Sequence, residues 1–525
     1  MKKQLVLAAL IAGLGIGMLS GCGKKDDAAS AAEVNMSGYP IVKEKITLTA
    51  MGAKQAIHGP WEDMRLFKDL EEKTNIHFEF RTPLSANYEE SKNIAFASND
   101  LPDIFLSGYL TASDEINNGR NGNLVPLEDL IDKYAPNVQD MFDKNEGLKA
   151  SITTPDGHIF SLPEYSDAGG DYLLMWINYK WLDKLGITDL PKTTDELYNL
   201  LVRFRDDDPN GNGKKDEIPL TAINMFATRE IAISWFGNVS AAFEIKDEKV
   251  IYSPLTENYR DYLTYMNKLY SEKLLDNEVY SQTNQQWTAK GKNNQAGISF
   301  QAAPFLFYEV DSASGEDQKY KALPPLTGPN NPQPVYPTSG NGIGKGVFAV
   351  TKANKYPEAS MRWVDYLYSE EGSRYVHMLD YWEWEDDAHT VWKSKYPEGI
   401  DDTEKFRAQN TPACGAPMPK WQRDEFYSRQ DDPTNAFLAE LKREQYKPIA
   451  QPQLPDFYFT EEEQAVINEK YSSISVYVDQ MEAKFISGLE PLSNWEVFVD
   501  NIKGMGIDDV QKAYDAAYER YKQVK

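Results

Sequence analysis

KITLTAMG at residues 45–52, PWEDMRLFKDLEEK at 60–73 and NIHFEF at 75–80 form the stretch that decides the fold class. In the first and third segments polar and apolar residues alternate, as they do along a half-buried β-strand. The middle segment opens with proline, which is favoured at a helix start, and its apolar residues recur at helical spacing. The order strand, helix, strand predicts an α/β unit with a mainly parallel sheet.

The same alternation continues along the chain. Further strands are predicted at 101–106, 173–178, 296–300 and 346–351, and helices at 191–205, 256–275, 357–371 and over much of 460–525. Residues 323–345 are rich in proline and glycine, which indicates a linker between two units. Ligands of such sheets bind beyond the carboxyl ends of the strands, so the loops at 58–61 and 107–109 are candidate ligand loops.

The N-terminus has the pattern of a secretory signal. Two lysines precede an apolar run from Leu5 to Leu19, which is too short to span a bilayer comfortably. The run ends in LSGC and resembles the lipobox of bacterial lipoproteins, in which the thiol of Cys22 takes the lipid. The small polar residues that follow predict a flexible tether. We therefore expect a signal peptide at 1–21, a lipid-anchored tether at 22–41, and a mature protein on the outer face of the cytoplasmic membrane.

Composition excludes several classes of function. The net charge of −26 argues against nucleic-acid binding and against a protein lying flat on an anionic membrane. Only Cys22 and Cys414 are present, so a lipid on Cys22 leaves no intrachain disulfide and the fold must rest on its core. The five histidines form no pair at metal-ligand spacing, and no nucleophile elbow, phosphate loop or Cys–His motif stands out. We expect no enzymatic activity, although acidic pairs such as Glu383 and Glu385 are the kind that a glycosidase uses.

Several segments, taken in order, resemble the extracellular solute-binding proteins of carbohydrate ABC transporters, in particular their long Gram-positive lipoprotein branch and the alginate-binding proteins. The segments that carry the resemblance are FASNDLPDIF (96–105), GNLVPLEDLIDKYAPN (122–137), DGHIFSLP (156–163), WINYKWLDKLGI (176–187) with 191–197, YMNKLYSEKLLDNE (265–278), 341–372 and 485–521. Together they cover nearly all of the mature chain.

The resemblance implies an α/β, two-lobe, type II periplasmic-binding-protein-like fold with hinge crossings and a helical C-terminal region. On this basis an N-lobe is predicted at 42–165 plus 340–390 and a C-lobe at 166–339 plus 391–525, with crossings near 164–173, 339–346 and 380–400. It also implies a monomer that captures an oligosaccharide between its lobes and delivers it to transporter permease subunits. Two alternatives stay open, a peptide-binding lipoprotein and a surface polysaccharide-binding protein without a transport role.

DPNGNGKKDE at 208–217 predicts a structural Ca²⁺ site. The loop places oxygen donors and a turn-forming glycine, Gly213, at the positions of an EF-hand loop. The predicted ligands are Asp208, Asn210, Asn212, the Lys214 carbonyl, Asp216 and Glu217. The loop departs from the EF-hand pattern because Pro219 stands where the bidentate glutamate is usual, so Glu217 would fill that role. The alginate-binding proteins carry the same arrangement, and a plain Asn-Gly turn is the alternative.

Aromatic residues make up 12% of the chain, and sugar sites pair aromatic faces with polar groups. The strongest candidate is the segment 381–387, because two tryptophans among acids are costly to expose, and a hydrophobic contact with the C-terminal helices is the alternative. The predicted ligand residues are Tyr381, Trp382, Glu383, Trp384, Trp235, Trp421, Phe300, Gln301, Trp287, Tyr109, Trp61 and His58. Trp176, Trp181, Trp363 and Trp495 lie on regular elements and are predicted to pack in the core.

Overall fold

The predicted strand–helix–strand unit opens the folded chain. Ile46–Met51 (β1) pairs in parallel with Ile76–Arg81 (β2), and Arg65–Thr74 (α1) connects them. The helix ends because Asn75 takes the left-handed conformation, with a φ of 63°, that asparagine tolerates. The apolar residues that alternate along β1 are buried, which is why the segment forms a strand rather than a loop.

The computed structural model describes residues 33–524 apart from 168–172, 312–313, 339–340, 428 and 430–432. Cys22, the signal peptide and most of the predicted tether therefore lie outside the described residues. Among the helices that are described, none is long and apolar enough to cross a membrane.

The chain forms sixteen described strands and nineteen described α-helices. The remaining strands are Ile104–Leu106 (β3), Leu162–Ser166 (β4), Leu174–Ile177 (β5), Ile218–Thr221 (β6), Phe243–Lys246 (β7), Lys249–Tyr252 (β8), Ala296–Gln301 (β9), Lys321–Ala322 (β10), Tyr336–Thr338 (β11), Ile343–Val350 (β12), Trp382–Trp384 (β13), Trp392–Ser394 (β14), Lys420–Gln422 (β15) and Ala450–Pro452 (β16). The remaining helices are Ser85–Ser98 (α2), Ala112–Arg120 (α3), Glu128–Tyr134 (α4), Pro136–Lys144 (α5), Leu148–Ser151 (α6), Tyr179–Leu185 (α7), Thr194–Asp206 (α8), Met225–Ser234 (α9), Glu257–Ser271 (α10), Asn284–Lys292 (α11), Pro357–Tyr368 (α12), Glu370–Met378 (α13), Thr403–Ala408 (α14), Asp424–Tyr427 (α15), Pro433–Leu441 (α16), Glu461–Ser487 (α17), Trp495–Gly504 (α18) and Ile507–Val524 (α19). A π-helical turn, Lys442–Tyr446, follows α16.

Two separate sheets define two lobes. The N-lobe sheet has the strand order β15-β4-β12-β3-β1-β2, in which β12 runs antiparallel to both neighbours and the other pairs are parallel. The C-lobe sheet has the order β10-β5-β9-β6, in which β6 and β9 are parallel and β5 runs opposite to β9. This arrangement, with helices α17 to α19 at the C-terminus, confirms the predicted α/β class and the helical C-terminal region.

Each lobe has its own apolar core. The N-lobe core surrounds Trp61 and Trp363, while the C-lobe core surrounds Trp176 and Trp181 and extends into the C-terminal helices through Trp495. The four tryptophans that were predicted to pack, Trp176, Trp181, Trp363 and Trp495, are all buried.

The structure places two lobe boundaries differently from the prediction. Residues 391–427 were expected in the C-lobe, but β15 pairs with β4 in the N-lobe sheet, and Met418 lies in the N-lobe core. The buried ammonium of Lys420 pairs with Glu164 of β4, which fixes this short strand. Tyr446 already lies in the C-lobe core, so the chain returns to the C-lobe between residues 427 and 446.

The end of the predicted tether is also part of the N-lobe. The Asn35 N–H donates to the Ile41 carbonyl at 2.8 Å, and Ile41 is fully buried. Arg362 of α12 donates to the carbonyls of Asn35 and Gly38 at 3.3 and 3.2 Å. Residues 33–41 therefore pack on the lobe instead of acting as a linker.

Candidate functional site

The carboxyl ends of the parallel strands in each lobe form a common edge. In the N-lobe, the ends of β1, β3, β4 and β15 lead into residues 52–58, 107–110, 165–167 and 422–424, which we call the N-lobe edge. In the C-lobe, the ends of β6 and β9 and the start of β5 bring together residues 222–224, 301–306 and 173–174, which we call the C-lobe edge. Ligands of open α/β sheets bind at such edges.

The chain connects the two edges directly. It leaves the N-lobe edge at Ser166 and enters the C-lobe sheet at Leu174, which pairs with Gln301. A second connection runs from Thr338 at the end of β11 to Ile343, which pairs with Tyr165 at the N-lobe edge. The covalent span from Ser166 to Leu174 is at most about 27 Å. The first of these crossings therefore joins an end of the N-lobe edge to an end of the C-lobe edge over a short length of chain.

Tyr109 is an exposed aromatic residue of the N-lobe edge. The residue is 40% exposed, whereas most large apolar side chains of the lobe are buried. Ser107 and Tyr109 both have positive φ, at 53° and 43°, which is unusual for residues other than glycine. The loop tolerates this strain because the Leu110 N–H donates to the Gly346 carbonyl of β12, and a Cβ at Gly346 would lie 2.1 Å from the Leu110 carbonyl oxygen.

A buried lysine fixes the Tyr109 backbone. The Lys92 ammonium is fully buried and donates to the Tyr109 carbonyl at 3.0 Å and to Asp114 at 2.6 Å. The ring of Tyr88 meets the Tyr109 ring edge-on with centroids 6.3 Å apart. The aromatic face is thus held in place before any ligand arrives.

The buried side chain of His58 hydrogen-bonds the backbone of its own loop and of a neighbouring segment. Its Nδ1 accepts from the Gln55 N–H at 3.2 Å, so the proton is on Nε2, which donates to the Cys414 carbonyl at 2.7 Å. Burial lowers the pKa of His58 and favours this neutral form. The prediction that His58 contacts a ligand is not retained, because the side chain is buried and both ring nitrogens are used. The loop instead presents Ile57, which is exposed, and Gln55, whose side chain lies near the Tyr109 hydroxyl.

The C-lobe edge combines exposed apolar residues with the amide of Gln301. Gln301 is half-buried at the end of β9, and its backbone carbonyl accepts from the Trp176 indole at 2.9 Å. Leu173, Phe305 and Leu306 are exposed large apolar residues on the same edge. Gln301 and Tyr109 are thus the two predicted ligand residues that lie at these strand-end edges with part of their surface exposed, and their contact with a ligand stays a prediction.

Four of the predicted ligand residues are core residues in the structure. Trp61 stacks on Phe67 with centroids 5.8 Å apart, and Trp287 lies 4.6 Å from Phe307. Those two, Trp235 and Phe300, are buried in the two cores and have no face toward a ligand in this conformation. Tyr265 of α10 packs on Trp235, and α11 turns its own Trp287 inward onto Phe307, an effect of tertiary packing that the local sequence does not reveal.

Trp421 is likewise covered. The Arg423 guanidinium lies 3.8 Å from the centre of its ring, and its indole N–H donates to Asp167 at 3.2 Å. The predicted role of Trp421 as a stacking surface for a ligand is not retained in this conformation. Its position at the N-lobe edge fixes Asp167 instead, whose other oxygen accepts from the Asp424 N–H at 2.5 Å.

The segment 381–384 starts a β-hairpin at the outer end of the N-lobe sheet. Trp382 and Trp384 are half-buried, meet each other at 5.4 Å and 88°, and pack on Phe426. Glu383 faces Lys393 and Lys395 on β14 and the residue after it. Tyr381 packs between Tyr396 and Phe406. The two tryptophans thus form an aromatic cluster with Phe426, which lies just before the chain returns to the C-lobe.

The predicted Ca²⁺ loop has two buried carboxylate oxygens without a hydrogen-bond donor. These are Asp208 Oδ1 and Glu217 Oε1, and burial together with the nearby Asp208 carboxylate raises the pKa of Glu217. The amide groups of Asn210 and Asn212 donate to Asp216 at 3.0 and 2.9 Å. Two carboxylate oxygens that are buried without a donor are unfavourable, and a bound cation would satisfy them.

In the present geometry the donors do not converge on one point. Across the residues that are described, no group of three or more His, Cys, Asp and Glu side chains is arranged to hold a metal ion. Asp216 is turned toward the asparagine amides, whose oxygens would face a cation after rotation of the amide groups. The residue types and the two orphaned oxygens fit Ca²⁺, and the assignment of all six ligands remains a prediction.

Sequence reasoning missed several residues of the two edges. Gln55, Ile57 and Phe305 follow predicted strands and Leu173 begins one, yet none of the four was predicted as a ligand residue. For the apolar residues of this set, the sequence feature that could have indicated exposure at an edge is their position beside the end of a predicted strand. The tryptophans were chosen as ligand candidates for their large aromatic rings, but most of them pack in the two cores.

Comparison with known proteins identifies the family. A model of the bacterial extracellular solute-binding protein family matches residues 58–374. The fructooligosaccharide ABC transporter substrate-binding protein FusA of Streptococcus pneumoniae serotype 4 is 31% identical over 388 residues, which cover 70% of this chain and 68% of FusA. The polygalacturonan/rhamnogalacturonan-binding protein YtcQ of Bacillus subtilis is 24% identical over 540 residues, which cover 99% of each chain.

Solved structures agree. S. pneumoniae FusA in complex with kestose matches with a TM-score of 0.67 at 25% identity, covering 91% of this chain and the whole of that one. A FusA EF-hand mutant in complex with fructo-nystose matches with a TM-score of 0.66 at the same identity and coverage. A solute-binding protein from Bifidobacterium longum infantis shares the fold with a TM-score of 0.74 at 20% identity, covering 91% of this chain and 99% of that one. These findings confirm the predicted resemblance and the two-lobe type II fold. The chain therefore belongs to the bacterial extracellular solute-binding proteins.

Proposed function

We propose that this protein captures an oligosaccharide between the N-lobe edge and the C-lobe edge and delivers it to an ABC importer. Its family consists of binding proteins, and the relatives FusA and YtcQ are named for oligosaccharide or polysaccharide binding. The transporter permease would recognise the closed form. No bond of the ligand is made or broken in this cycle.

The observation that carries the proposal is the exposed and preorganised ring of Tyr109. A sugar ring presents C–H groups on its faces and hydroxyls on its rim, so it suits an aromatic face with polar groups beside it. The Tyr109 ring supplies the face, while Gln55 and Glu164 supply an amide and a carboxylate near its hydroxyl. Gln301 and the apolar residues Leu173 and Phe305 complete the surface from the other lobe.

Closure follows from the two-lobe construction. A ligand that contacts both edges binds the closed form better than the open form, and this difference in affinity drives the hinge rotation. The chain leaves the N-lobe sheet after Ser166 and the C-lobe core after Thr338, so the lobes are joined at these two crossings. Because the lobes have separate cores, rotation leaves the packing within each lobe unchanged.

Two features accompany this function in our proposal. Cys22 carries the lipid that holds the protein, as a monomer, at the outer face of the cytoplasmic membrane, as the LSGC motif indicates. Ca²⁺ occupies the loop 208–217 and stiffens the C-lobe. The two orphaned carboxylate oxygens support this site, as does the similarity to FusA, of which an EF-hand mutant has been solved.

Isothermal titration of the soluble chain, starting at residue 33, against panels of oligosaccharides and peptides tests the function. We expect an oligosaccharide to bind and peptides to give no heat. The Tyr109→Ala variant should lose affinity while keeping its melting temperature, because Tyr109 lies on the surface. Binding of peptides alone would support the peptide-lipoprotein alternative. An oligosaccharide that is hydrolysed during the titration would contradict a pure binding role.

A further inference from the structure

A polar cavity of about 650 Å³ lies at the outer end of the N-lobe edge. The N-lobe contributes three residues. Asp167 directly follows β4, Asp424 lies two residues after β15, and Thr390 lies in the loop between β13 and β14. Arg443 and Lys447 enter from the π-helical turn and the residue after it, next to the C-lobe core. Because both lobes line the cavity, its shape depends on the hinge angle.

The position of the cavity relates it to the proposed site. In the sheet order β15-β4-β12-β3, three strand spacings separate β15 from β3, the strand that leads to Tyr109. At about 4.8 Å per spacing, the cavity lies about 14 Å along the edge from Tyr109. A monosaccharide does not bridge this distance, whereas a linear oligosaccharide lying along the edge does.

The charges of the cavity are balanced. Lys447 pairs with Asp424 at 3.3 Å, and Arg443 lies 3.8 Å from Glu444. Arg429, also at the cavity, pairs with Glu425 at 2.6 Å. Since each of these cations has a carboxylate beside it, an anionic ligand would meet little net positive potential and would also face a chain with a net charge of −26.

Paired ammonium, guanidinium and carboxylate groups suit neutral hydroxyls. A hydroxyl both donates and accepts, so it is able to donate to Asp424 or Asp167 while it accepts from Lys447 or Arg443. A second anion would have to displace an existing carboxylate and would lose its own hydration. The chemistry of the cavity therefore discriminates against uronates and in favour of uncharged sugars.

We propose that this cavity is a distal subsite, so that the ligand is a neutral linear oligosaccharide that runs along the N-lobe edge from Tyr109 to the cavity. This proposal rests on the proposed function and specifies the class and minimum length of its ligand. The subsite adds contacts for the longer members of a sugar series and none for a disaccharide. Its contribution to affinity therefore grows with chain length.

The test is isothermal titration of wild type and the double variant Arg443→Ala/Lys447→Ala with ladders from disaccharide to hexasaccharide. The probes are inulin-type fructo-oligosaccharides, xylo-oligosaccharides and, as the anionic series, oligogalacturonides. Lys405→Ala, which removes an exposed lysine of α14 away from the cavity, is the matched control. Melting temperatures of all variants verify that they are folded.

We expect one neutral ladder to bind with affinity that rises with chain length. The double variant should lose about tenfold for the longest member and less than twofold for the disaccharide, while the control matches wild type. The same loss at every length, or no loss, would overturn the subsite and leave the proposed function standing. Binding of the galacturonide ladder alone would overturn the neutral class. If no ladder binds, the proposed function fails together with this inference.

Discussion

Lys92 donates to the carbonyl oxygen of Tyr109 at 3.0 Å, and its ammonium is fully buried between helices α2 and α3. A buried lysine requires several partners, and this one also pairs with Asp114 at 2.6 Å and Glu89 at 2.9 Å. It thus connects the strained loop after β3 to the body of the N-lobe. The aromatic face at the edge owes its fixed position to this lysine.

Replacing Lys92 with methionine should destabilise the protein by about 3 kcal/mol, because it leaves the nearly buried Asp114 carboxylate without its cation. Urea unfolding measures this change. The matched control is Glu89→Gln, which removes the exposed partner of the same lysine and should cost less than about 1 kcal/mol. Equal stability of the two variants would show that Lys92 has no special structural role.

Tyr109→Ala should weaken oligosaccharide binding about tenfold, equivalent to about 1.4 kcal/mol, because the stacking surface is lost. Tyr109→Phe keeps the ring and should retain most of the affinity. Titration of both variants with the sugar that wild type binds provides the measurement. If Phe and Ala weaken binding equally, the hydroxyl and not the ring face carries the interaction.

Glu115 predicts a specific dependence of stability on pH. Burial raises its pKa to about 7, opposed by Ser161, Tyr458 and the nearby Lys345, which pairs with Asp456 at 3.0 Å. The folded state therefore holds the proton more tightly than the unfolded state. The stabilisation is complete below the unfolded pKa, about 4.5, and is lost as the pH rises toward about 7.

Glu115→Gln should remove this dependence. Relative to wild type, the variant should gain stability between pH 5 and pH 7, by up to about 3 kcal/mol, since one pKa unit corresponds to about 1.4 kcal/mol. Urea unfolding of both proteins across this range measures the difference. Parallel pH profiles for the two proteins would mean that Glu115 titrates normally.

Ca²⁺ should raise the melting temperature of the wild-type chain, and a chelator should reverse the rise. At a free concentration one hundred times the dissociation constant, the gain is about 2.7 kcal/mol. Asp208→Asn and Glu217→Gln should abolish the response, because they neutralise the two carboxylates with orphaned oxygens. Asp206→Asn, just outside the loop, is the control and should respond as wild type does. If neither Ca²⁺ nor chelator changes the melting temperature of the wild-type chain, residues 208–217 form only a turn and bind no Ca²⁺.

Much of the fold was accessible from the sequence because its strands are strongly patterned. KITLTAMG and NIHFEF became β1 and β2, and AGISF became most of β9, each within two residues of the predicted ends. These segments alternate or are uniformly apolar, and that pattern reports burial directly.

The pairing of strands that are far apart in the sequence could not be predicted from the sequence. β15 is a three-residue strand, KWQ, and its place beside β4 depends on a buried ion pair with a residue far away in sequence. Trp235 and Trp287 looked like ligand residues because the size and rarity of tryptophan do not reveal whether a ring will pack in the core. Tyr109, three residues after β3, and Gln301, the last residue of β9, were chosen for their positions at strand ends, and their ligand role stays a prediction.

The most direct test of the central claim is a crystal structure of the soluble chain with the oligosaccharide that binds most tightly in titration. The account predicts that the two lobes close on the sugar, with one ring stacked on Tyr109 and with Gln301 of the other lobe in contact. A sugar bound outside the two edges, or one that touches a single lobe and leaves the hinge unchanged, would contradict it.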